Sequence, residues 1–356
     1  MQTEQQRPAI NVQRPAVRIA RRLLLALCGL LSLILYPAPA RAQQAEPPPP
    51  EQHIAQQTQE TIDTIRIDTE LVDLSVGVFG HDPRRPAGEL QQKDFQVFEN
   101  GAPQEIAFFA SAATPFDLVL LLDLSGSIAD KLDLVRKSAR RFVEAARPGD
   151  RIAVVTFTNE AHVVSPLTLD RAALIEQIKK IKKPQGGTNF WDALRFTLEV
   201  VLEKKTDGQR RSAVVVMTDG IDNALPDVYG DGSVTSFDEL LDITSKSDAI
   251  VLPIFLDTEE EMMKAHRWFD VESTFALARQ QLGQLAAESG SPLYRARRVE
   301  DLKGVYEQVI RDLGTVYSIG YQPANRQRDG SWRSINVRLA NRPELAVRVK
   351  RGYYAK

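Results

Sequence analysis

The stretch Phe116–Ser127, FDLVLLLDLSGS, decides how the rest of the chain is interpreted. Its unbroken apolar run, LVLLL, is typical of a strand that is buried on both faces, as in a parallel sheet. Asp123 ends the run, and Ser125 and Ser127 follow at steps of two. Because nothing within the run can neutralise a carboxylate, we expect Asp123 to lie just past the carboxyl end of the strand, where open α/β sheets form ligand crevices. One carboxylate and two hydroxyl groups are hard oxygen ligands, which suit Mg²⁺.

Two further polar groups follow apolar segments downstream. The loop Gly186–Asn189, GGTN, contains Thr188, and the segment Met217–Gly220, MTDG, places Asp219 directly after the apolar strand Ala213–Val216. A D-x-S-x-S motif followed by this threonine and this aspartate resembles the metal-ion-dependent adhesion site of the von Willebrand factor type A domain family. The first motif alone is a weak signal, because short motifs match by chance. All three parts, in family order and in strand-loop-helix settings, form a specific combination.

This resemblance implies a metal site. It implies that Ser125, Ser127 and Thr188 offer hydroxyl oxygens, and that Asp123 and Asp219 supply charge directly or through water. The implied ion is Mg²⁺, with Mn²⁺ or Ca²⁺ as alternatives, and it keeps a position open for a Glu or Asp carboxylate of a partner protein. Taken singly, each residue also has a structural explanation, because Ser and Thr often cap helices and Asp often makes turns.

Two secondary candidates lie beside these residues. Asn189 is expected to cap a helix that begins at Phe190, with its side chain near the site, and Asp222 follows Asp219 closely. The acidic loop Asp227–Ser233 comes next. This loop either holds a second cation, such as Ca²⁺, or is a solvated surface loop, and its spacing does not match an EF-hand.

The order of elements between residues 113 and 313 predicts the fold class. Apolar strands such as Arg151–Phe157 and Ile250–Leu256 alternate with segments whose apolar residues recur at helical spacing. Residues 302–313 carry the amphipathic stripe of a last helix. This order predicts an α/β fold with a doubly wound, mostly parallel sheet, as in Rossmann-like folds. The family resemblance assigns the whole of 113–313 to the type A domain.

The segments on either side of this domain, residues 63–112 and 314–356, show an apolar period of two, which is typical of strands. Each has about 45 residues, too few to bury a good core alone. We therefore expect them to pair into one small β-sandwich, into which the α/β domain is inserted. Asn100-Gly101 and Asp329-Gly330 are hairpin-turn signals within them.

The first 42 residues have the layout of a secretory signal peptide. Arginines precede an apolar run at 23–35, and small residues at 40 and 42 make cleavage after Ala42 the expected outcome. The run is short for a membrane span, which needs about 20 residues, although an uncleaved signal anchor is an alternative. Residues 43–62, rich in Gln, Pro and Glu, predict a flexible linker. We expect an exported protein, periplasmic or secreted, with no membrane span in the mature chain.

Composition and motifs narrow the class of function. A net charge of −2 gives no electrostatic footprint for nucleic acid. Ser125 has no G-x-S-x-G frame, no glycine-rich phosphate loop is present, and no two histidines stand at metal-ligand spacing. We therefore expect a non-enzymatic protein-binding module. The alternatives are a metal-dependent hydrolase that uses the same pocket, and a structural cell-envelope subunit whose β-sandwich does the binding. The sequence leaves the oligomeric state open.

Overall fold

A computed structural model of the chain describes residues 71–80, 89–129, 131–182, 186–202, 210–265 and 270–355. The predicted signal peptide and linker, residues 1–62, lie outside these ranges. No helix within the ranges is long and apolar enough to cross a membrane. The strands are β1 (Val72–Gly80), β2 (Phe95–Glu99), β3 (Ala102–Gln104), β4 (Ile106–Ala110), β5 (Phe116–Asp123), β6 (Arg151–Phe157), β7 (Ala161–Thr168), β8 (Arg211–Thr218), β9 (Ile250–Leu256), β10 (Tyr294–Ala296), β11 (Val316–Tyr321), β12 (Trp332–Leu339), β13 (Leu345–Arg348) and β14 (Gly352–Tyr354). The helices are α1 (Gly126–Ala129), α2 (Leu132–Ala145), α3 (Arg171–Lys180), α4 (Phe190–Phe196), α5 (Phe237–Lys246), α6 (Glu259–Ala265), α7 (Val271–Ser289) and α8 (Leu302–Leu313).

The central sheet has the order β10-β9-β8-β5-β6-β7. Its pairs are parallel except for β6 with β7, which is antiparallel. The predicted doubly wound, mostly parallel sheet is therefore confirmed. The sequence did not predict β7, because its apolar pattern is interrupted by Pro166 and much of the strand faces solvent. Both features are typical of an edge strand, where proline is tolerated.

Strand β5 anchors this sheet because all of its residues are buried. Leu118, Leu120 and Leu122 belong to one core with α2 and α8, while Val119 and Leu121 belong to the core on the opposite face, with α4 and α7. Full burial of each such side chain contributes about 1.5–3 kcal/mol. A strand held from both faces fixes the position of whatever follows its carboxyl end.

Two four-stranded antiparallel sheets accompany the central sheet, with the orders β13-β1-β11-β4 and β14-β12-β2-β3. Each combines strands from before and after the α/β domain, and β1 pairs with β11 in a register that places Leu74 opposite Ile319. One core contains Leu74 and Ile319 from the first sheet, and Val97 and Val337 from the second. The prediction of a β-sandwich formed by both flanking segments is therefore confirmed.

The two hairpin signals have different outcomes. Asn100 and Gly101 have φ angles of 49° and 82° and join the paired strands β2 and β3, as a tight two-residue hairpin requires. The hairpin predicted at Asp329-Gly330 is wrong, because β11 and β12 lie in different sheets. The Asp329 carboxylate instead accepts a hydrogen bond from Ser331 N at 2.9 Å, so the pair makes a local turn in the crossing segment.

The entry and exit of the α/β domain are tied together by Arg211. Its guanidinium donates hydrogen bonds to Ala112 O at 3.0 Å, to Thr114 O at 2.5 Å and to Val316 O, and lies 3.9 Å from the centre of the Phe116 ring. Burial lowers the pKa of Arg211 to about 9. The chain therefore enters the α/β domain, before β5, next to the point where it leaves the domain, at the start of β11. This is expected for an inserted domain.

Candidate metal centre

The predicted site residues come together because parallel strands end at the same edge of the central sheet. Asp123 is the last residue of β5, and the register places its neighbour Leu122 beside Met217 of β8. Asp219 follows β8 directly, and Thr258 follows β9 by two residues. The chain therefore delivers polar groups from three adjacent strands to one edge.

Asp123 is fully buried and accepts hydrogen bonds with both carboxylate oxygens. Ser125 N donates to Oδ1 at 2.8 Å, and Thr218 Oγ1 donates to Oδ2 at 2.6 Å. Burial, followed by the charge of Asp219, raises the pKa of Asp123 from 3.8 to about 7, although the bonds from Ser125 and Thr218 oppose the rise. Asp123 and Asp219 are therefore close enough to repel each other.

Asp219 is also buried and oriented by hydrogen bonds. Ile221 N donates to its Oδ1 at 3.2 Å, and Thr258 Oγ1 donates to its Oδ2 at 3.0 Å. The hydroxyl groups of Thr218 and Thr258 each donate a hydrogen bond to one of the two aspartates. These threonines were not predicted, because a single Thr at the end of a strand gives no distinguishing signal in the sequence.

Thr188 is buried in a loop that other loops hold in place. Its N–H donates to Asn223 Oδ1 at 3.1 Å, and its carbonyl accepts from Asn223 N at 2.8 Å. The preceding residue is fixed as well, since Gly187 N donates to Asn159 Oδ1 at 2.8 Å. Asn223 lies four residues after Asp219, so the threonine and aspartate parts of the motif are linked by direct contact.

The two serines follow β5 as predicted. Ser125 is buried, its hydroxyl hydrogen-bonds to Asp123, and its carbonyl accepts from Ile128 N at 3.0 Å. Ser127 lies in the short helix α1, and its side chain is outside what the structure describes. The backbone therefore turns back at Ser125, next to the carboxylate that ends β5.

The secondary candidates differ from each other. Asn189 occupies the position before α4, but its side chain makes no capping hydrogen bond, so the predicted cap is wrong. Its Oδ1 is buried and accepts no hydrogen bond from the residues that the structure describes. The Asp222 carboxylate accepts four, from Trp191 N, Ala224 N, and both the N–H and the hydroxyl of Ser233, at 2.6–3.1 Å. Four bonds use the acceptor capacity of a carboxylate, so Asp222 acts as a structural tie.

The donor set fits a divalent cation. Among the groups that shift the pKa of Asp123, hydrogen bonds from Ser125 and Thr218 oppose the effects of burial and Asp219, and no basic side chain of the described residues contributes. Buried charges are normally paired or bound to a metal. The described ranges contain no group of three or more His, Cys, Asp or Glu residues placed to hold a metal ion, so a cation here would depend on hydroxyl groups and water as well. Proteins commonly bind Mg²⁺ in this way, because the ion keeps several water ligands and is held by only one or two carboxylates.

Residues 118–221 match the sequence profile of the von Willebrand factor type A domain. Two relatives align over part of the chain. A protein of Borreliella burgdorferi is 28% identical over 30% of this chain and 33% of its own length, and cochlin from Cavia porcellus is 28% identical over 36% of this chain and 27% of its own length. The chain thus spans a third or less of the relatives it matches.

Several solved structures are also similar. Proximal thread matrix protein 1 from the mussel byssus, solved with a zinc-occupied adhesion-site motif, is 18% identical, with a TM-score of 0.44 over 59% of this chain and 48% of its own. BatB from Bacteroides thetaiotaomicron is 14% identical, with a TM-score of 0.41 over 56% of this chain and 98% of its own. The vWF domain of the type V pilus tip protein Mfa5 from Porphyromonas gingivalis is 16% identical, with a TM-score of 0.42 over 56% of this chain and 94% of the solved domain.

The profile match begins in β5 and ends two residues after Asp219, so it contains all five residues of the predicted site. It also coincides with the strands that form the centre of the parallel sheet. Sequence profile, sheet order and site residues agree, and the chain therefore carries a von Willebrand factor type A domain.

Proposed function

We propose that this protein is a non-enzymatic binding protein that holds a divalent cation, Mg²⁺ in the first instance, on its type A domain. The residues that would hold the ion are Asp123, Ser125, Ser127, Thr188 and Asp219. The observation that carries the proposal is the buried pair of mutually repelling carboxylates, Asp123 and Asp219, surrounded by hydroxyl donors. A bound cation would offset the repulsion between these two carboxylates.

The partner proposed for this site is a protein that offers a Glu or Asp side chain. Hydroxyl ligands carry no charge, so a cation held largely by them stays electrophilic and attracts a further carboxylate. Asp222, an acidic residue of the loop after Asp219, already accepts four hydrogen bonds within the chain and is therefore not available for that role.

Metal binding is the first test, and calorimetric titration with Mg²⁺ and Mn²⁺ measures it directly. The wild-type protein is expected to bind one ion, and Asp219→Asn is expected to weaken binding strongly. Asp133→Asn is a matched control, because that side chain is 93% exposed and only pairs with Arg136 on the surface. Wild-type protein that binds neither ion, or an Asp219→Asn variant with unchanged affinity, would refute the proposal.

Partner binding is tested separately. Capture of a partner from cell-envelope extracts should be abolished by EDTA and by Asp219→Asn, and retained by Asp133→Asn. Capture that survives EDTA would instead support a structural subunit that binds through its β-sandwich. Turnover of phosphate or carboxylic esters in the presence of Mg²⁺ or Mn²⁺, lost in Asp219→Asn, would support the hydrolase alternative.

We also propose that the protein is exported to the periplasm or beyond. The support is the leader in the sequence, with its arginines, its apolar run at 23–35 and the small residues before position 43. Mass spectrometry of the protein purified from its own cells should give an amino terminus at Gln43. An intact residue 1 in a cytoplasmic fraction would contradict export.

A further inference from the structure

Asn223 makes the contact that joins Thr188 to the loop after Asp219. It accepts from Thr188 N with its side-chain oxygen at 3.1 Å, and donates its own N–H to Thr188 O at 2.8 Å. The two bonds act on both backbone groups of Thr188 and leave its hydroxyl group unused by Asn223. Two bonds from one residue fix the position of the peptide, and with it the direction in which the hydroxyl is presented.

The Asn223 amide is enclosed by two glycines. A Cβ atom at Gly187 would lie 2.2 Å from Asn223 Nδ2, and one at Gly230 would lie 2.4 Å from the same atom. Gly230 also has a φ of 117°, which side chains rarely adopt. The side chain is therefore held between the Thr188 loop on one side and the later part of its own loop on the other.

Residues 224–235 form an ordered loop beside this contact. Its far end is tied to α4, because the Asp192 carboxylate accepts from Val234 N at 2.8 Å and from Thr235 N at 2.9 Å. The same loop leaves two apolar side chains in solvent, Tyr229 with 74% and Val234 with 95% of their surface exposed. A loop fixed at both ends that displays an aromatic side chain is suited to contact a partner without a large loss of entropy.

We infer that Asn223 is a positioning residue for the Thr188 hydroxyl and couples the metal site to the loop 224–235. This inference rests on the proposed function, since it assigns a regulator to the proposed metal site. An ordered loop holds Asn223, Asn223 holds Thr188, and Thr188 is a proposed ligand. By linkage, a cation bound at Thr188 stabilises the loop further, and a partner bound on Tyr229 tightens cation binding by the same factor.

The first experiment measures Mn²⁺ affinity of the full chain by calorimetry. Asn223→Ala is expected to weaken Mn²⁺ binding roughly 10- to 100-fold, the range seen when groups that orient metal ligands are removed. Asn336→Ala is the matched control, because this exposed asparagine lies in β12 and accepts a hydrogen bond from Arg338 Nε at 3.1 Å, away from the Thr188 loop. It should change the affinity less than threefold. Gly230→Ala, which pushes on the Asn223 amide, is a second variant and should resemble Asn223→Ala.

The second experiment measures hydrogen exchange of the backbone amides of residues 223–235, with and without Mn²⁺. The change in protection caused by Mn²⁺ reports the coupling, and a purely structural role of Asn223 would not alter that change. Wild-type protein should gain protection in this loop when Mn²⁺ binds, and Asn223→Ala should gain none even at saturating Mn²⁺. Mn²⁺ binding that leaves the loop unchanged, or equal affinity in Asn223→Ala, would overturn the coupling and leave the metal site intact. Absence of Mn²⁺ binding by the wild type would overturn the metal site itself.

Discussion

Replacing Asp123 by Asn should make the metal-free protein more stable at neutral pH. Burial and the neighbouring Asp219 raise the pKa of Asp123 from 3.8 to about 7, so the folded, metal-free chain binds this proton more tightly than the unfolded chain. The stability that this proton contributes is present below about pH 4 and is lost as the pH rises through 7. A rise of this size corresponds to roughly 4 kcal/mol, at 1.36 kcal/mol per pKa unit. Asparagine has nearly the same shape and never ionises.

The assay is equilibrium unfolding in denaturant at a series of pH values between 3.5 and 8, in EDTA. Wild-type protein and Asp123→Asn should have similar free energies of unfolding near pH 3.5, below the pKa of the unfolded carboxyl group. At pH 8 the variant should be more stable, by up to roughly 4 kcal/mol for a full loss of the proton. Mg²⁺ at 100 times its dissociation constant should reduce this advantage of the variant by about 2.7 kcal/mol, because only the wild-type protein binds the ion.

Two results would refute this reasoning. The first is a difference between Asp123→Asn and wild type that stays constant across the pH range, since the ionisation of Asp123 would then cost nothing. The second is equal stabilisation of both proteins by Mg²⁺, which would place the ion elsewhere. Asp133→Asn controls for loss of a surface charge, and its exposed pair with Arg136 is expected to contribute less than about 1 kcal/mol.

Two further predictions concern residues that the sequence did not single out. Thr258→Val should weaken Mg²⁺ binding roughly 10-fold by calorimetry, because Asp219 loses the hydroxyl group that orients it. Thr244→Val is the control and should leave the affinity unchanged, because the buried Thr244 hydroxyl donates only to a carbonyl of its own helix. Arg211→Met should lower the free energy of unfolding by about 2–4 kcal/mol, because carbonyl oxygens of Ala112 and Val316 lose their donor in a buried setting. A Met variant as stable as wild type in urea unfolding would show that the junction is held by other contacts.

The sequence predicted the sheet and the placement of Asp123 and Asp219, because both depend on local patterns. An apolar run can be buried only inside the sheet, and a carboxylate at its end must lie at the edge. Thr258 and Asn223 could not be predicted in this way. Each is a single polar residue in a loop, and its role comes from a contact with a residue 39 or 35 positions away.

The errors have the same origin. The Asp329-Gly330 pair does make a turn, but the strands it separates pair with partners elsewhere in the chain, which the core of the sandwich selects. Asn189 stands where a capping residue would stand, yet its side chain makes no hydrogen bond to the helix that follows and its Oδ1 is buried. Local patterns therefore predicted the positions of turns and helix starts, but long-range packing determined the partners.

The antiparallel pairing of β1 with β11 also governs how the molecule would carry mechanical load. Suppose that tension is applied at residues 71 and 355. It passes from β1 to the segment that follows the α/β domain across the ladders with β11 and β13, without crossing the type A domain. The inserted domain would come under force only after these ladders, and those of β4 with β11 and of β2 with β12, had ruptured. Tension between the two ends of the sandwich thus leaves the inserted α/β domain mechanically shielded.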